Sequence, residues 1–265
     1  MPKISAYAQI LVKIFNDKYR NGMESVEFTR EEIIEAANEL EVKVPKNVGD
    51  VVYSYRYRKD MPEAIADTAG EGKAWIIIGG GDARYAFKLS HTPFVTPNRA
   101  IQSIKIPDNT PEILVKYALS DEQALLSKVR YNRLIDIFLG ITTFSLQNHL
   151  RTKVKDVGQI EIDELYVGVD KRGQHFIIPV QAKGGNDRIG VVQLSQDMAY
   201  CISKFPNLIC VPISVQFMDN DVVAMFHLDC EDHNAQIVEE KHYQLVPSTQ
   251  ITDEYIMRLR EHPQT

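Results

Sequence analysis

The stretch of residues 158–186 constrains the fold of this chain more than any other. Two extended patterns, residues 159–170 and 175–183, flank a turn of sequence Asp-Lys-Arg-Gly at 170–173. The second pattern contains a run at 176–180 that is apolar on both faces, as in a strand at the centre of a sheet. The sequence therefore predicts a β-hairpin whose second strand is buried.

Polar side chains with complementary chemistry lie along this hairpin. Because side chains alternate across a strand, Glu161 and Asp163 share one face, as do Gln181 and Lys183, whereas Glu164 points the other way. A carboxylate, an amide oxygen and an ammonium that converge at a sheet end can hold a hard cation and orient a water molecule. Carboxylate and carbonyl oxygens suit Mg²⁺, so the pattern indicates a site for hydrolysis assisted by this ion.

The spacing of these residues resembles that of a known family. Asp163 on one strand is followed on the next by Gln181-Ala182-Lys183 and then by glycines. This pattern is similar to the PD-(D/E)XK nuclease superfamily, in which an Asp precedes a (Glu/Asp/Gln)-x-Lys triplet. The glutamine variant looks most like the Mrr-type and restriction-endonuclease branches. The resemblance covers roughly residues 115–228 and implies an α/β (α+β) fold, with a restriction-endonuclease-like mixed β-sheet flanked by helices.

The resemblance also implies roles for individual residues. Asp163 would be the principal metal ligand, Gln181 a weaker neutral ligand and Glu161 a possible second carboxylate ligand. Lys183 would position the attacking water and stabilise charge on the scissile phosphate. The expected cofactor is Mg²⁺, with Mn²⁺ as a possible substitute. Gln193, on a helix predicted over residues 188–204, matches a glutamine near the active centre of Mrr-like relatives and is expected to contact DNA.

The sequence of residues 1–89 predicts a separate domain. Apolar spacing indicates helices over residues 4–20 and 47–58, and a capping box of Thr29 and Glu32 begins another helix between them. A short strand precedes that middle helix, and a β-hairpin is predicted over residues 72–89. Helix, strand, helix, helix and hairpin is the order of a winged-helix domain, whose third helix commonly enters the major groove of DNA.

The third of these helices is rich in tyrosine and arginine. We expect Tyr55, Arg56, Arg58 and Lys59 to contact DNA, because arginine can donate two parallel bonds to guanine and tyrosine can contact phosphate. An alternative is that Tyr53 and Tyr57 simply pack into the core face of the helix. Winged helices also bind proteins, which is a second alternative for the domain.

Four prolines between residues 90 and 112 predict an extended, stiff linker. The nuclease-like domain then spans residues 113–265. A helix at 120–139 carries two candidates for an additional acid of the site, Glu122 and Asp136, although a solvated helix face explains both equally well. A first strand is predicted to end in cations that could lie near a phosphate backbone, namely Arg151, Lys153 and Lys155.

Composition excludes some classes of protein. The net charge of −6 over 265 residues argues against a coat protein that binds nucleic acid non-specifically. No apolar run approaches the roughly 18 residues that span a bilayer, so no membrane association is expected. Three cysteines without metal-binding spacing are typical of reduced thiols in a cytoplasmic protein.

Together these features predict a metal-dependent DNA endonuclease of type II restriction character that acts on double-stranded DNA. A homodimer is the default expectation, because cutting both strands usually needs two active sites. Two alternatives stay open at this point. One is a non-catalytic DNA-binding or regulatory protein with a nuclease-like fold, and the other is a repair or resolvase nuclease with the same chemistry.

Overall fold

A computed structural model describes residues 5–43, 46–117, 121–155, 157–184 and 187–261. The chain has a mixed α+β fold in which a large mixed β-sheet and a small antiparallel sheet are packed with helices. Within the described residues, no helix is both long enough and apolar enough to cross a membrane. The three cysteines are free thiols.

The N-terminal part follows the predicted order of elements. Its three strands pair antiparallel in the order β1-β3-β2. The predicted capping box is confirmed, because the Thr29 hydroxyl accepts from the Glu32 backbone and the Glu32 carboxylate accepts from the Thr29 backbone at 2.8 Å. The elements are α1 (Ala6–Lys18), β1 (Ser25–Thr29), α2 (Arg30–Glu39), α3 (Gly49–Tyr57), α4 (Glu63–Ala66), β2 (Ala74–Gly79) and β3 (Arg84–Ser90).

Aromatic packing holds this part together. Phe15 of α1 meets the rings of Trp75 on β2 and Phe87 on β3 edge-on, with centroids 5.1 and 5.2 Å apart. All three side chains are almost completely buried. Aromatic pairs in this geometry add to the stabilisation that burial of their surface provides, so the helices are fixed firmly on the small sheet.

The segment predicted as a linker, residues 90–112, is extended but carries two short strands. β4 (Phe94–Val95) pairs with β9 (Ile189–Gly190). β5 (Ile104–Pro107) joins the edge of the large sheet beside its C-terminal strand, β13 (Asn234–Val246). Its backbone is thus hydrogen-bonded to the C-terminal part. A short helix, α5 (Glu112–Tyr117), follows.

The single helix predicted at 120–139 is wrong, because the structure has two helices there. α6 (Asp121–Tyr131) and α7 (Leu134–Leu139) are separated at Arg133, whose φ of 51° is left-handed. The buried Asn132 side chain explains the break, since its amide nitrogen donates to Asp108 and Thr110 and thereby ties this point to the preceding loop. The sequence predicts Ser120 as the N-cap of this helix, but Ser120 lies outside the described residues.

The large sheet contains the predicted hairpin, which is confirmed. The remaining elements are β6 (Thr142–Val154), β7 (Gly158–Val169), β8 (His175–Lys183), α8 (Val191–Lys204), β10 (Ile209–Cys210), β11 (Ile213–Phe217), β12 (Val222–Glu231), β13 (Asn234–Val246), a 3₁₀ turn (Ser248–Gln250) and α9 (Asp253–Glu261). The strand order of the large sheet is β5-β13-β12-β11-β8-β7-β6, with β10 paired to β8. β6, β7 and β8 are antiparallel neighbours, and β11 runs parallel to β8.

Two predicted boundaries in this region are wrong. α8 begins at Val191 and not at residue 188, because pairing with β4 draws Ile189–Gly190 into an extended conformation. The sequence also predicts one buried strand over residues 208–217, but the structure divides this segment into β10 and β11, with Pro212 between them. Proline lacks the backbone donor that a continuous central strand needs.

The large sheet is covered on both faces. α6 and α7 pack against one face, where Leu125 and Phe138 join a core cluster with residues of β8, β11 and β12. α8 lies on the other face and contacts β7, β8 and β12. Its first turn also packs with Ile76 of the N-terminal part, so α8 lies between the two parts of the chain.

Candidate active site

Asp163 lies just beyond the end of the β7–β8 ladder and opposite a residue of β6 with irregular backbone. The ladder between β7 and β8 runs as far as Glu164 opposite Val180. Beyond it, the backbone N–H of Ala182 donates to the Asp163 carboxylate at 2.8 Å. On the other side, the pairing with β6 skips from Asn148 to Leu150, and the intervening His149 has a φ of 46°. The backbone around Asp163 is therefore shaped by local irregularity and not by a continuous ladder.

Gln181 is buried beside this irregularity. Its side chain is part of a residue only 4% exposed. The amide nitrogen donates to the backbone carbonyl of Glu161 at 3.0 Å and to the Asp197 carboxyl at 2.8 Å. The amide oxygen has no hydrogen-bond donor among the described residues. This oxygen is therefore a buried acceptor whose hydrogen-bonding capacity is unused by the described residues.

Asp197, on α8, is an acid of this site that the sequence analysis missed. It is almost completely buried, and burial is the main reason that its pKa is raised well above the ordinary value for an aspartate. The negative charge of Asp163 raises the pKa of Asp197 further, whereas the bond from Gln181 and the charge of Lys183 lower it. These three side chains therefore lie close enough to Asp197 to act on its charge. Asp197 is four residues beyond Gln193 on the same helix, a spacing that could have marked it.

The other candidate acids have different partners. Glu161 forms an ion pair with Arg151 of β6 at 2.8 Å, so its carboxylate is engaged by a cation of the protein. Asp136 accepts from the backbone and hydroxyl of Thr143 and thus holds the start of β6. The side chain of Glu122 lies outside the described residues.

Glu164 lies on the opposite face of β7 from the site, as strand alternation predicts. It is fully buried and accepts from Arg130 of α6 at 2.8 Å and from Ser145 at 2.6 Å. This carboxylate therefore stabilises the packing of α6 on the sheet. A buried charge needs such a partner because the free energy of removing it from water is large.

A cleft of about 1140 Å³ joins this site to the N-terminal part of the chain. Asp163 and Lys183 line one wall, and α3 lines the other. Gln181 and Asp197 are not among its described lining residues and lie buried behind that wall. Among the described residues, eight cationic and five carboxylate side chains line the cleft, namely Arg56, Arg58, Lys59, Arg84, Arg151, Lys153, Lys183 and Arg188, with Asp50, Asp82, Glu161, Asp163 and Asp187. The cleft is thus locally cationic in a chain whose net charge is −6.

α3 brings most of the predicted DNA-contacting residues into this cleft. Arg58 and Lys59 are exposed. Arg56 is half-buried, and its Nε donates to the carbonyl of Ile77 at 3.0 Å, while one terminal nitrogen is buried without a described partner. Arg56 therefore also ties α3 to β2.

Tyr55, which was also predicted to contact DNA, is buried and is not among the described residues that line the cleft. It belongs to the N-terminal core, where its hydroxyl lies 3.2 Å from the Ser5 hydroxyl. The reason is helical periodicity, since Tyr55 follows the buried Val51 by one turn and shares its face. Of the three tyrosines of α3, Tyr53 and Tyr57 line the cleft, together with Tyr85 of β3.

Tyr57 makes a direct contact between the two parts of the chain. Its hydroxyl donates to Gln196 Oε1 of α8 at 2.8 Å. The neighbouring Gln193 also lines the cleft. α8 therefore contacts α3 through Gln196 and the β7–β8 hairpin through Asp197.

The donor set suits a hard cation held in part by water and substrate. Across the described residues, no three His, Cys, Asp or Glu side chains gather closely enough to hold a metal ion alone. The oxygens of Asp163 and Gln181 are nonetheless of the kind that Mg²⁺ prefers, and this ion commonly uses one or two carboxylates and keeps several waters. The unpartnered amide oxygen of Gln181 fits such a ligand.

Comparison of the chain with protein-family models, with curated proteins and with solved structures gives no match.

Proposed function

We propose that this chain is a metal-dependent endonuclease that hydrolyses double-stranded DNA, of the restriction type. The observation that carries the proposal is the shared cleft. Asp163, within β7, and Lys183, at the end of β8, line the same space as the cations at the C-terminal end of α3. A polyanion bound by that helix would lie against the hairpin residues that resemble a nuclease motif.

The N-terminal part supports a role in DNA binding. Its element order and its β1-β3-β2 sheet agree with the proposed winged-helix domain. In such domains the third helix enters the major groove. Here Arg58 and Lys59, which directly follow α3, are exposed in the cleft, where they can pair with phosphates or base edges.

The proposed site combines oxygen ligands for a metal ion with a lysine that acts on water and phosphate. Asp163 and Gln181 would hold Mg²⁺ or Mn²⁺ through their oxygens, and the bound ion would supply activation of water. Lys183 lines the cleft as a cation close to Asp163. Its ammonium can orient the attacking water by hydrogen bonding and can stabilise the negative charge that develops on the phosphate.

Local charge makes the acidic chain compatible with DNA. Cations exceed carboxylates along the cleft, whereas the whole chain carries an excess of acids. A cleft lined predominantly by one sign of charge concentrates the opposite charge within it. Cleavage of both strands would require two such sites, so a homodimer is part of the proposal.

The direct test is incubation of the purified full-length chain with supercoiled and linear duplex DNA, with Mg²⁺, with Mn²⁺ and with EDTA. We expect defined fragments that depend on the ion and disappear with EDTA. Salt-dependent binding without cleavage under any of these conditions would favour the non-catalytic alternative. Cleavage confined to branched or damaged DNA would favour a repair or resolvase nuclease.

A further inference from the structure

The amide of Gln181 has two ends in different environments. Its nitrogen donates both hydrogens, to the Glu161 carbonyl at 3.0 Å and to Asp197 Oδ2 at 2.8 Å. An amide nitrogen has two hydrogens to donate, so this end is saturated. The oxygen at the other end is buried and has no donor among the described residues.

The partners of the nitrogen fix the orientation of the amide. A half-turn would place the oxygen against the Glu161 carbonyl, which can only accept, and would leave the nitrogen without these two acceptors. Asp197 supplies the second acceptor from α8, which is held by the packing of Leu194 and Cys201. Asp197 is itself 3% exposed, so its carboxyl has little freedom to move away.

We propose that Asp197 is a positioning residue that holds the Gln181 amide so that its oxygen is offered to a divalent cation beside Asp163. This inference rests on the proposed function, because it takes the ligand of the site to be such a cation. Asp197 acts through Gln181 and is not itself a ligand, because its described hydrogen bond goes to the nitrogen end of that amide and not to the oxygen end that is offered to the cation.

The first experiment uses the full chain without metal or DNA. The side-chain ¹⁵N–¹H resonances of Gln181, assigned by comparison with Gln181→Ala, report whether both amide protons are hydrogen-bonded. We expect slow hydrogen exchange in the wild type, fast exchange in Asp197→Ala, and intermediate protection in Asp197→Asn, which retains an acceptor oxygen. Unchanged protection in a folded Asp197→Ala protein would overturn the proposal.

The second experiment measures Mn²⁺ binding by calorimetric titration, again without DNA. Asp197→Ala should weaken binding by about 10- to 100-fold, the range typical of residues that orient metal ligands. Asp197→Asn should weaken it less. In a Gln181→Ala background, Asp197→Ala should cause no further loss, because a residue that acts through another has no effect once that partner is gone. An equal loss in both backgrounds would contradict the positioning role.

A matched control is Ser195→Ala on the same helix, whose hydroxyl donates to the carbonyl of Val192. It should bind Mn²⁺ as the wild type does, and thermal unfolding should establish that each variant is folded. The two proposals fail in different ways. A wild type that binds no Mn²⁺ overturns the metal-dependent function together with this inference. Mn²⁺ binding and cleavage that are both unaffected by Asp197→Ala overturn the positioning role alone.

Discussion

Asp163 accepts a hydrogen bond from the backbone N–H of Ala182 at 2.8 Å, so a side chain takes the place of a backbone carbonyl at the end of the ladder. This bond ties the carboxylate to the strand that carries Gln181 and Lys183. The bond therefore fixes the Asp163 carboxylate relative to the backbone of β8, from which Gln181 and Lys183 extend. Such fixed placement is what a preorganised site requires.

Lys183→Ala should abolish ion-dependent DNA cleavage and leave folding and DNA binding nearly intact. Loss of one preorganised group that stabilises developing charge typically lowers the rate by about 100- to 1000-fold. Lys153→Ala, which removes another cation of the same cleft, is the matched control and should reduce binding more than turnover. Equal cleavage rates for the two variants at saturating DNA would refute the specific role of Lys183.

Two neighbouring acids on β7 should have separable effects. Asp163→Asn keeps an oxygen for Ala182 but removes the charge, so it should lose Mn²⁺ binding and cleavage with little change in stability. Glu164→Gln should retain Mn²⁺ binding but lower the free energy of unfolding, because buried Glu164 pairs with Arg130. The expected loss is about 1–3 kcal/mol, at the lower end because the Arg130 side chain is 39% exposed. Calorimetric titration with Mn²⁺ and urea unfolding of both variants test this assignment. Loss of Mn²⁺ binding in Glu164→Gln with retention in Asp163→Asn would contradict it.

Arg56, in α3, and Arg58, directly after it, should contribute differently to DNA binding and to stability. Arg58→Ala should weaken DNA binding without loss of stability, because Arg58 is exposed in the cleft. Arg56→Ala should also lower the melting temperature, since its Nε bonds the Ile77 carbonyl. A phosphate contact would reduce the salt slope by about 1, whereas a base contact would cost about 1–3 kcal/mol on a specific site only. Arg172→Ala, in the β7–β8 turn, is the control, and an equal effect from it would rule out a specific role for α3.

Gly79→Ala should disturb the contact between the two parts of the chain. A Cβ at Gly79 would collide with the backbone carbonyl of Val157 in the β6–β7 connection. Forced overpacking of this kind typically costs about 1–3 kcal/mol. Gly80→Ala is the matched control, because its Cβ would meet Arg84 at an ordinary 3.6 Å. Differential scanning calorimetry should show a lower melting temperature for the first variant only, and identical values would contradict this account.

Stability should fall as the pH drops below about 6.5, the ordinary histidine pKa, in part through His233. Burial lowers the pKa of His233, and its Nδ1 is buried without a described partner. A depressed histidine pKa means that the unfolded state takes up the proton first. The contribution is therefore present above 6.5 and is lost as the pH falls toward the folded-state value. His233→Asn, which tolerates the φ of 59° at this position, should show a smaller decline in chemical unfolding at pH 7 and 5.5. An equal decline in stability in both proteins would exclude a contribution from His233.

Local patterns in the sequence were sufficient for the elements that carry the site. The turn at 170–173 and the apolar run at 176–180 determine the β7–β8 hairpin, and the Thr29 box determines where α2 begins. Alternation along β7 also places Glu164 away from Asp163. Each of these outcomes depends on residues within a few positions of one another, which is the range over which turn chemistry and strand periodicity act.

Helical periodicity places Tyr55 on a different face of α3 from Tyr53 and Tyr57, but it did not show which face is buried. The sequence presents Tyr53, Tyr55 and Tyr57 in alternation, and only packing on the N-terminal core decides that Tyr55 is buried and that the other two line the cleft. The break between α6 and α7 has a similar cause. Asn132 bonds residues of a distant loop, and no local pattern announces such partners.

The meeting of distant residues was decided by tertiary structure. Asp197 reaches Gln181 because α8 packs across the hairpin, and Tyr57 reaches Gln196 across 139 positions of sequence. By itself, the sequence determined that a carboxylate, an amide and a lysine share one hairpin. Only the packing of α8 and α3 against that hairpin decided which acid orients the amide and which cations face the site, because burial and hydrogen bonding between remote segments depend on the whole fold.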